Sequence, residues 1–192
     1  MLRTPAPLKG ALGVGRKVVM TEKQRIEFGT ADGFLQLYNA HFGTSYEIVA
    51  EADAPDIRCV DANGRKLNIE VTTTEDSPGD IPALLGRSDK RSIESLAENN
   101  RAVRSGLVSP RFTSAHDAAK VLASRIDAKL RKDYGNGCAL VVRDTSGCDW
   151  EWDLMANDVV AMCELKSNPF DKGIWVISRT KDKLFEIVAA KP

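Results

Sequence analysis

Two carboxylates, Asp56 and Glu70, stand where they could hold a divalent cation. They flank the dipeptide Asn63-Gly64, which favours a tight turn between two strands. Directly opposed side chains in such a hairpin have Cβ atoms roughly 4.5–5.5 Å apart. Two carboxylates at that spacing repel each other, and Mg²⁺, which takes one or two carboxylates with water and phosphate oxygens, would offset the repulsion. The alternative is a carboxylate pair at a solvated sheet edge, or one that shares a proton.

The register of this hairpin decides whether the two carboxylates meet. A two-residue turn would mix polar and apolar side chains on each face of the hairpin. A three-residue loop over residues 62–64, with its glycine in the left-handed conformation, instead pairs Ile57 with Ile69 and keeps one face apolar. We therefore predict the three-residue loop, which places Asp56 opposite Glu70.

The residues around both carboxylates resemble a known signature. Pro-Asp-Ile at 55–57 and Asn-Ile-Glu-Val-Thr at 68–72 resemble the Pro-Asp…(Asp/Glu)-x-Lys motif of the PD-(D/E)xK nuclease superfamily. The resemblance implies a restriction endonuclease-like α/β fold, a mixed β-sheet flanked by helices on both faces. It also implies that Asp56 and Glu70 hold Mg²⁺ (or Mn²⁺). Thr72 stands where the motif has its lysine, so the resemblance requires a lysine from elsewhere.

Three further residues are candidates for this site. Superfamily nucleases often carry an acidic metal ligand on their first helix, and Glu27 shares a helix face with Ala31 and Phe34; the alternative is an exposed surface glutamate. Glu51, just beyond the first predicted strand, is a second additional metal ligand candidate. Lys129, beside the apolar stripe of a later helix, is the candidate for the missing lysine. Its alternative is a lysine whose stem packs on the core while its ammonium stays in water.

Residues 80–112 are interpreted as a helical insertion that concentrates positive charge. The basic residues there, predicted to contact nucleic acid, are Arg87, Lys90, Arg91, Arg101, Arg104 and Arg111. Guanidinium groups match the geometry of phosphate oxygens, which favours contacts with a nucleic-acid backbone. The alternative is an ordinary solvated helix, because acidic residues in the same segment partly neutralise it.

The rest of the chain divides into an arm and one domain. Residues 1–20 are rich in proline and glycine and are interpreted as a flexible arm, and residues 21–192 as a single nuclease-like domain. The predicted elements are a helix (22–42), a strand (46–50), the central hairpin, a helix (115–134), a strand (138–142), a helix (157–166) and a second hairpin (173–178 with 183–188).

The composition is that of a globular protein. The 192 residues are 43% hydrophobic, and no apolar run approaches the roughly 18 residues of a membrane span. The four cysteines lack the spacing of a zinc site or a disulfide framework, so we expect a cytoplasmic protein without a membrane partner. Lys and Arg total 27, as do Asp and Glu, and this balance counts against tight nonspecific binding to nucleic acid.

The sequence thus predicts Mg²⁺-dependent phosphodiester hydrolysis of nucleic acid, with DNA as the first expectation. The alternative keeps the fold but not the chemistry: a catalytically degenerate module that binds nucleic acid or a protein partner. A homodimer stays open in both cases.

Overall fold

The computed structural model describes residues 20–74, 114–145 and 150–191. Within these ranges the chain is an α/β fold of three helices, a short 3₁₀ turn (Leu165–Ser167) and one six-stranded sheet. The helices are α1 (Glu22–Phe42), α2 (Ala115–Leu130) and α3 (Trp152–Met162). The strands are β1 (Glu47–Glu51), β2 (Ile57–Val60), β3 (Lys66–Thr73), β4 (Cys138–Arg143), β5 (Ile174–Ile177) and β6 (Leu184–Val188).

The six strands lie side by side in chain order. β1, β2 and β3 form an antiparallel meander, β3, β4 and β5 are parallel, and β6 returns antiparallel to β5. Parallel neighbours need a crossover connection, and α2 and α3 lie in the two connections concerned. The predicted mixed sheet is therefore present.

The register of the β2–β3 hairpin is the predicted one. Ile57 lies opposite Ile69, and the loop closes through a hydrogen bond from the Asp61 N–H to the Arg65 carbonyl oxygen at 3.0 Å. Gly64 has φ of 77°, the left-handed value that the three-residue loop requires. The hairpin thus keeps one face apolar, and the same register continued by one residue beyond β2 brings residue 56 toward residue 70.

Helix α1 has the limits expected from its capping residues. The Thr21 side chain accepts a hydrogen bond from the Gln24 backbone N–H, and the Gln24 side chain accepts one from the Thr21 N–H. Gly43 ends the helix in the left-handed conformation, with φ of 62°. Both ends are thus fixed by local hydrogen bonds.

The sheet separates two hydrophobic cores. On one face α1 packs Ala31, Phe34 and Leu35 against the meander, and on the other α2 and α3 cover β4, β5 and β6. Strand β4 serves both cores, because Val141 faces α1 while Leu140 faces α2 and α3. Helices therefore cover both faces of the sheet.

Several predicted boundaries are wrong. α2 ends at Leu130 rather than at residue 134, because the chain turns there and buries Tyr134 against Phe170. α3 begins at Trp152 rather than at residue 157, because the buried indole donates a hydrogen bond to Asp144 at 2.9 Å and fixes the start of the helix. β1 lies one residue later than predicted. The predicted arm, apart from Met20, and the basic insertion lie outside the described residues.

Among the residues that the structure describes, no helix is both long enough and apolar enough to cross a membrane.

Candidate metal centre

Asp56 and Glu70 lie at one end of the central hairpin, and each is only 3% exposed. The Val71 backbone N–H donates to Asp56 Oδ2 at 2.8 Å, which holds the Asp56 carboxylate against β3. In β3 the side chains of Ile69 and Val71 enter the α1 core, so Glu70 between them points to the α2 side of the sheet. Two buried carboxylates thus lie at this end of the hairpin, Asp56 immediately before β2 and Glu70 within β3.

Lys129 reaches Glu70 from the last turn of α2. Its Nζ lies 2.6 Å from Glu70 Oε1, and the two side chains are 22% and 4% exposed. This geometry is consistent with the prediction that Lys129 supplies the positive charge that Thr72, at the motif position, cannot supply. A lysine that only extends along the core into water would not make this ion pair.

The second oxygen of Glu70 is poorly satisfied. Oε2 is buried and makes no hydrogen bond of normal geometry within the described part of the chain, although the Tyr134 hydroxyl, which also lacks one, lies close enough to Glu70 to interact with it. Burial, and after it the negative charge of Glu70, raises the pKa of Tyr134, so its hydroxyl stays protonated. A buried carboxylate oxygen without a donor is costly unless a ligand satisfies it.

Asp56 is short of positive charge. Lys23 Nζ lies 3.9 Å from Asp56 Oδ1 but closer, at 3.1 Å, to Oε1 of Glu27. Burial raises the pKa of Asp56 and the charge of Glu27 adds to this, while the hydrogen bond from Val71 and the charges of the two lysines oppose it. The net direction is upward, so burial and the neighbouring carboxylate outweigh the donors that face Asp56.

Lys23, Glu27 and Lys129 line a cleft of about 240 Å³ between α1, α2 and the end of β3, and Asp56 and Glu70 are not among the residues that line it. Its lining residues are Lys23, Ile26, Glu27, Val71, Thr72, Thr73 and Lys129. Thr72 lies two residues after Glu70 in β3, so the two side chains face the same side of the sheet. The cleft therefore has lysines from two helices beside the carboxylate pair.

The other predicted residues have mixed positions. Glu27 belongs to the site, with a side chain that is 12% exposed and paired with Lys23, so the surface-glutamate alternative is wrong. Glu51 ends the edge strand β1 with an exposed side chain, and among the described residues it makes no ion pair with the site. The six basic residues between 87 and 111 lie outside the described residues.

Sequence reasoning missed Lys23 and Tyr134. Lys23 precedes Glu27 by four residues on one helix face, a spacing that favours an ion pair and could have signalled it. Tyr134 was placed inside a predicted helix, so its turn toward Glu70 had no local signal.

Asp56 and Glu70 are the two protein ligands that this site could offer a hard divalent cation. Across the described ranges, no three His, Cys, Asp or Glu side chains come together as a metal-binding group. The available donors are therefore carboxylate oxygens of Asp56 and Glu70, and Mg²⁺ commonly accepts one or two carboxylates with water and phosphate. Three carboxylates here, Asp56, Glu70 and Glu27, face two ammonium groups, so added positive charge would be favourable.

No protein-family model matches this chain, and neither the curated proteins nor the solved structures contain a significant match.

Proposed function

We propose that this protein is a Mg²⁺-dependent nuclease that hydrolyses phosphodiester bonds of nucleic acid, with DNA as the first substrate to test. The observation that carries the proposal is the buried pair Asp56 and Glu70 beside an open cleft. Within the described residues, Glu70 Oε2 makes no hydrogen bond of normal geometry, and Lys129 pairs with Glu70 Oε1. The resemblance to the PD-(D/E)xK signature supports the same chemistry.

Asp56 and Glu70 are the residues that would hold Mg²⁺ or Mn²⁺. When bound, the ion would polarise the scissile phosphate and lower the pKa of an attacking water. Glu27 is better placed than Glu51 to assist, because Glu27 lines the cleft and Glu51 is exposed on the edge strand.

Lys129 has the role that the motif assigns to its lysine. Its ammonium, held at 2.6 Å from Glu70 Oε1, places positive charge at the wall of the cleft, where charge develops on the phosphate during attack. Thr72 lines the same cleft and can donate a hydrogen bond to a water or a phosphate oxygen. It supplies no charge.

One observation favours the alternative, a catalytically degenerate module that binds nucleic acid or a protein partner. Lys129 pairs directly with Glu70, at 2.6 Å between Nζ and Oε1. If that ion pair is permanent, Asp56 and Glu70 are a structural element and the cleft is only a binding surface.

A cleavage assay with matched variants separates the two. Single-stranded and duplex DNA and RNA are incubated with wild type, Asp56→Asn, Glu70→Gln and the control Asp61→Asn, with Mg²⁺, Mn²⁺ or a chelator. Wild type should cut only with metal, and the two site variants should lose activity on the order of 1,000-fold. Asp61→Asn, at the opposite end of the hairpin, should stay within a few-fold of wild type.

Two results would decide against the proposal. If wild type cuts nothing and calorimetry detects no divalent cation, the binding module is the better description. If wild type cuts but both site variants retain its rate, the active site is elsewhere.

The proposed role of Lys129 has a test of its own. Lys129→Met should lower the cleavage rate about 100-fold while Mn²⁺ binding is retained, because the substitution removes positive charge that acts on the phosphate but leaves both carboxylate ligands in place and frees Glu70 Oε1. The double variant Lys129→Met/Thr72→Lys, which returns a lysine to the motif position, should recover part of that rate. An unchanged rate in Lys129→Met would show that this lysine is not needed.

A further inference from the structure

A second polar cluster, made by Arg143 and Lys181, lies on the α1 side of the sheet. Arg143 ends β4, where it lies beside Thr73 of β3 and Ile177 of β5. By strand alternation it faces the same side as Val141, the side of α1. Lys181 belongs to the turn between β5 and β6, and its ammonium donates a hydrogen bond to the Gly29 carbonyl oxygen of α1.

These two cations have no carboxylate partner within the described ranges. Arg143 Nε is buried and makes no hydrogen bond there, and burial lowers the pKa of Arg143. Burial, and after it the positive charge of Arg143, lowers the pKa of Lys181. Asp32 is the carboxylate that opposes this effect on Lys181, and its Oδ2 already accepts a hydrogen bond from Gln36 at 3.0 Å. The stem of Lys181 and the side chain of Ile177, the β5 partner of Arg143, both lie beside Gly33 of α1.

Lys181 has a strained backbone conformation, and it packs against two glycines inside α1. Lys181 has φ of 60°, a left-handed conformation that glycine or asparagine would adopt at lower cost. Its stem crosses α1 at Gly33, where an added Cβ would lie 2.8 Å from Lys181 Cδ. Gly29 and Gly33 are unfavourable inside a helix, and they leave the space that this lysine occupies.

The cluster adjoins the cleft of the candidate metal centre. Thr73 lines that cleft and is the β3 neighbour of Arg143, and Ile26 lines it one helical turn before Gly29. Three residues of helix correspond to about 4.5 Å. Thr30, on this stretch of α1, is also fully buried, and its hydroxyl has no hydrogen-bond partner among the described residues.

We propose that Arg143 and Lys181 form a phosphate-binding site next to the cleft. A guanidinium group matches phosphate oxygens in geometry and charge, and the remaining N–H groups of the Lys181 ammonium can donate to the same anion. A bound phosphate would supply the negative charge that both cations lack. The natural occupant is a phosphate of the nucleic-acid strand whose neighbouring phosphate lies in the cleft, and this assignment rests on the proposed function.

Thermal unfolding in the presence of inorganic phosphate tests the site itself. Phosphate replaces chloride at constant ionic strength, for wild type, Arg143→Gln, Lys181→Met and the control Lys183→Met. Lys183 lies in the same hairpin, where it is exposed and pairs with Glu151 at 3.3 Å. Wild type and Lys183→Met should gain Tm with phosphate, and the two site variants should need about tenfold more phosphate for the same gain.

Equal responses in all four proteins, or no response in wild type, would overturn the site. Circular dichroism shows whether each variant folds. If Arg143→Gln does not fold, Lys181→Met and the charge-retaining Arg143→Lys decide the question. Arg143→Lys should keep a response to phosphate, weaker than that of wild type.

A second measurement tests the assignment to a nucleic-acid strand. Fluorescence anisotropy of a single-stranded oligonucleotide is measured with Asp56→Asn protein in chelator, so that no cleavage occurs. Introducing Arg143→Gln into the Asp56→Asn protein should weaken oligonucleotide binding about tenfold, and introducing Lys183→Met instead should leave it unchanged. If phosphate stabilises the protein but Arg143→Gln leaves oligonucleotide affinity unchanged, the phosphate site stands and its nucleic-acid assignment fails. Because neither measurement needs catalysis, an absence of cleavage would refute the nuclease without deciding this site.

Discussion

Two aspartates at opposite ends of one hairpin, Asp61 and Asp56, have opposite environments. Both are almost fully buried. The Asn63 and Arg65 backbone N–H groups donate to Asp61 Oδ1 at 2.9 and 2.8 Å, and the Arg65 side chain pairs with its Oδ2. Burial acts to raise the pKa of Asp61, but the hydrogen bonds from Arg65 and Asn63 outweigh it and the pKa is lowered. Burial prevails at Asp56, whose pKa is raised.

The difference distinguishes a carboxylate that stabilises a turn from one that has few donors and that we propose as a metal ligand. Asp61 has three donors, and its position fixes the loop that sets the register. Asp56 has one backbone donor, from Val71, and its ammonium neighbour Lys23 is 75% exposed and lies 3.9 Å away. Buried groups that stay under-satisfied and have shifted pKa values are concentrated at functional sites.

The largest expected difference between the two ends of the hairpin is the loss of folding stability when the cation of each ion pair is removed. In the absence of divalent cations, Lys129→Met should lower the free energy of unfolding by about 3 kcal/mol, because it leaves the buried Glu70 carboxylate without a partner. Arg65→Met should cost less, because two backbone N–H groups still donate to Asp61. Urea denaturation measures both.

The double variant Lys129→Met/Glu70→Gln is the control for this first prediction. It removes the unpaired charge together with its partner, so it should recover most of the lost stability. If the double variant is as unstable as Lys129→Met, the loss comes from packing of the lysine stem rather than from the unpaired, buried charge of Glu70.

The next largest expected difference is in the stabilisation by divalent cations, which should depend on Asp56 and Glu70 but not on Asp61. At a Mn²⁺ concentration about 100 times its Kd, wild type should gain about 2.7 kcal/mol of stability, since the ion binds only the folded chain. Asp56→Asn and Glu70→Gln should lose this gain, and Asp61→Asn should keep it. Differential scanning calorimetry with and without Mn²⁺ measures the shift in Tm. A gain that survives both site variants would place the ion elsewhere.

The features that the sequence predicted well depend on local signals. The limits of α1 follow from the Thr21 capping box and Gly43, and the hairpin register follows from the loop glycine and one apolar face. Lys129 was located by helical spacing, because a residue beside the apolar stripe of α2 must lie near the sheet.

The missed features depend on contacts between distant segments. Trp152 starts α3 because its indole reaches Asp144, across a connection that no periodicity marks. Arg143 and Lys181 meet only after β4 and β5 pair and the β5–β6 turn folds over α1. In the sequence, Gly29 and Gly33 indicate only a weaker helix, since the lysine that uses their space lies about 150 positions later.

The smallest expected effect is a difference in pH dependence between the two aspartates. A raised pKa means that folded Asp56 holds its proton more tightly than the unfolded chain does, so its ionisation costs stability at pH 7. Asp56→Asn should therefore be more stable than wild type at pH 7 without metal. That advantage should shrink as the pH falls through the raised pKa, and should vanish below the ordinary aspartate value of about 3.9.

Asp61→Asn should show the opposite sign. The lowered pKa of Asp61 means that its ionised form stabilises the fold at pH 7, so this variant should be less stable than wild type. Its deficit should persist down to about pH 3.9 and disappear only as the pH falls through the lowered pKa of Asp61. Urea unfolding of all three proteins from neutral to acid pH measures both differences. If Asp56→Asn and Asp61→Asn are both less stable than wild type at pH 7, then Asp56, like Asp61, stabilises the fold. The distinction between the two ends of the hairpin would then not hold.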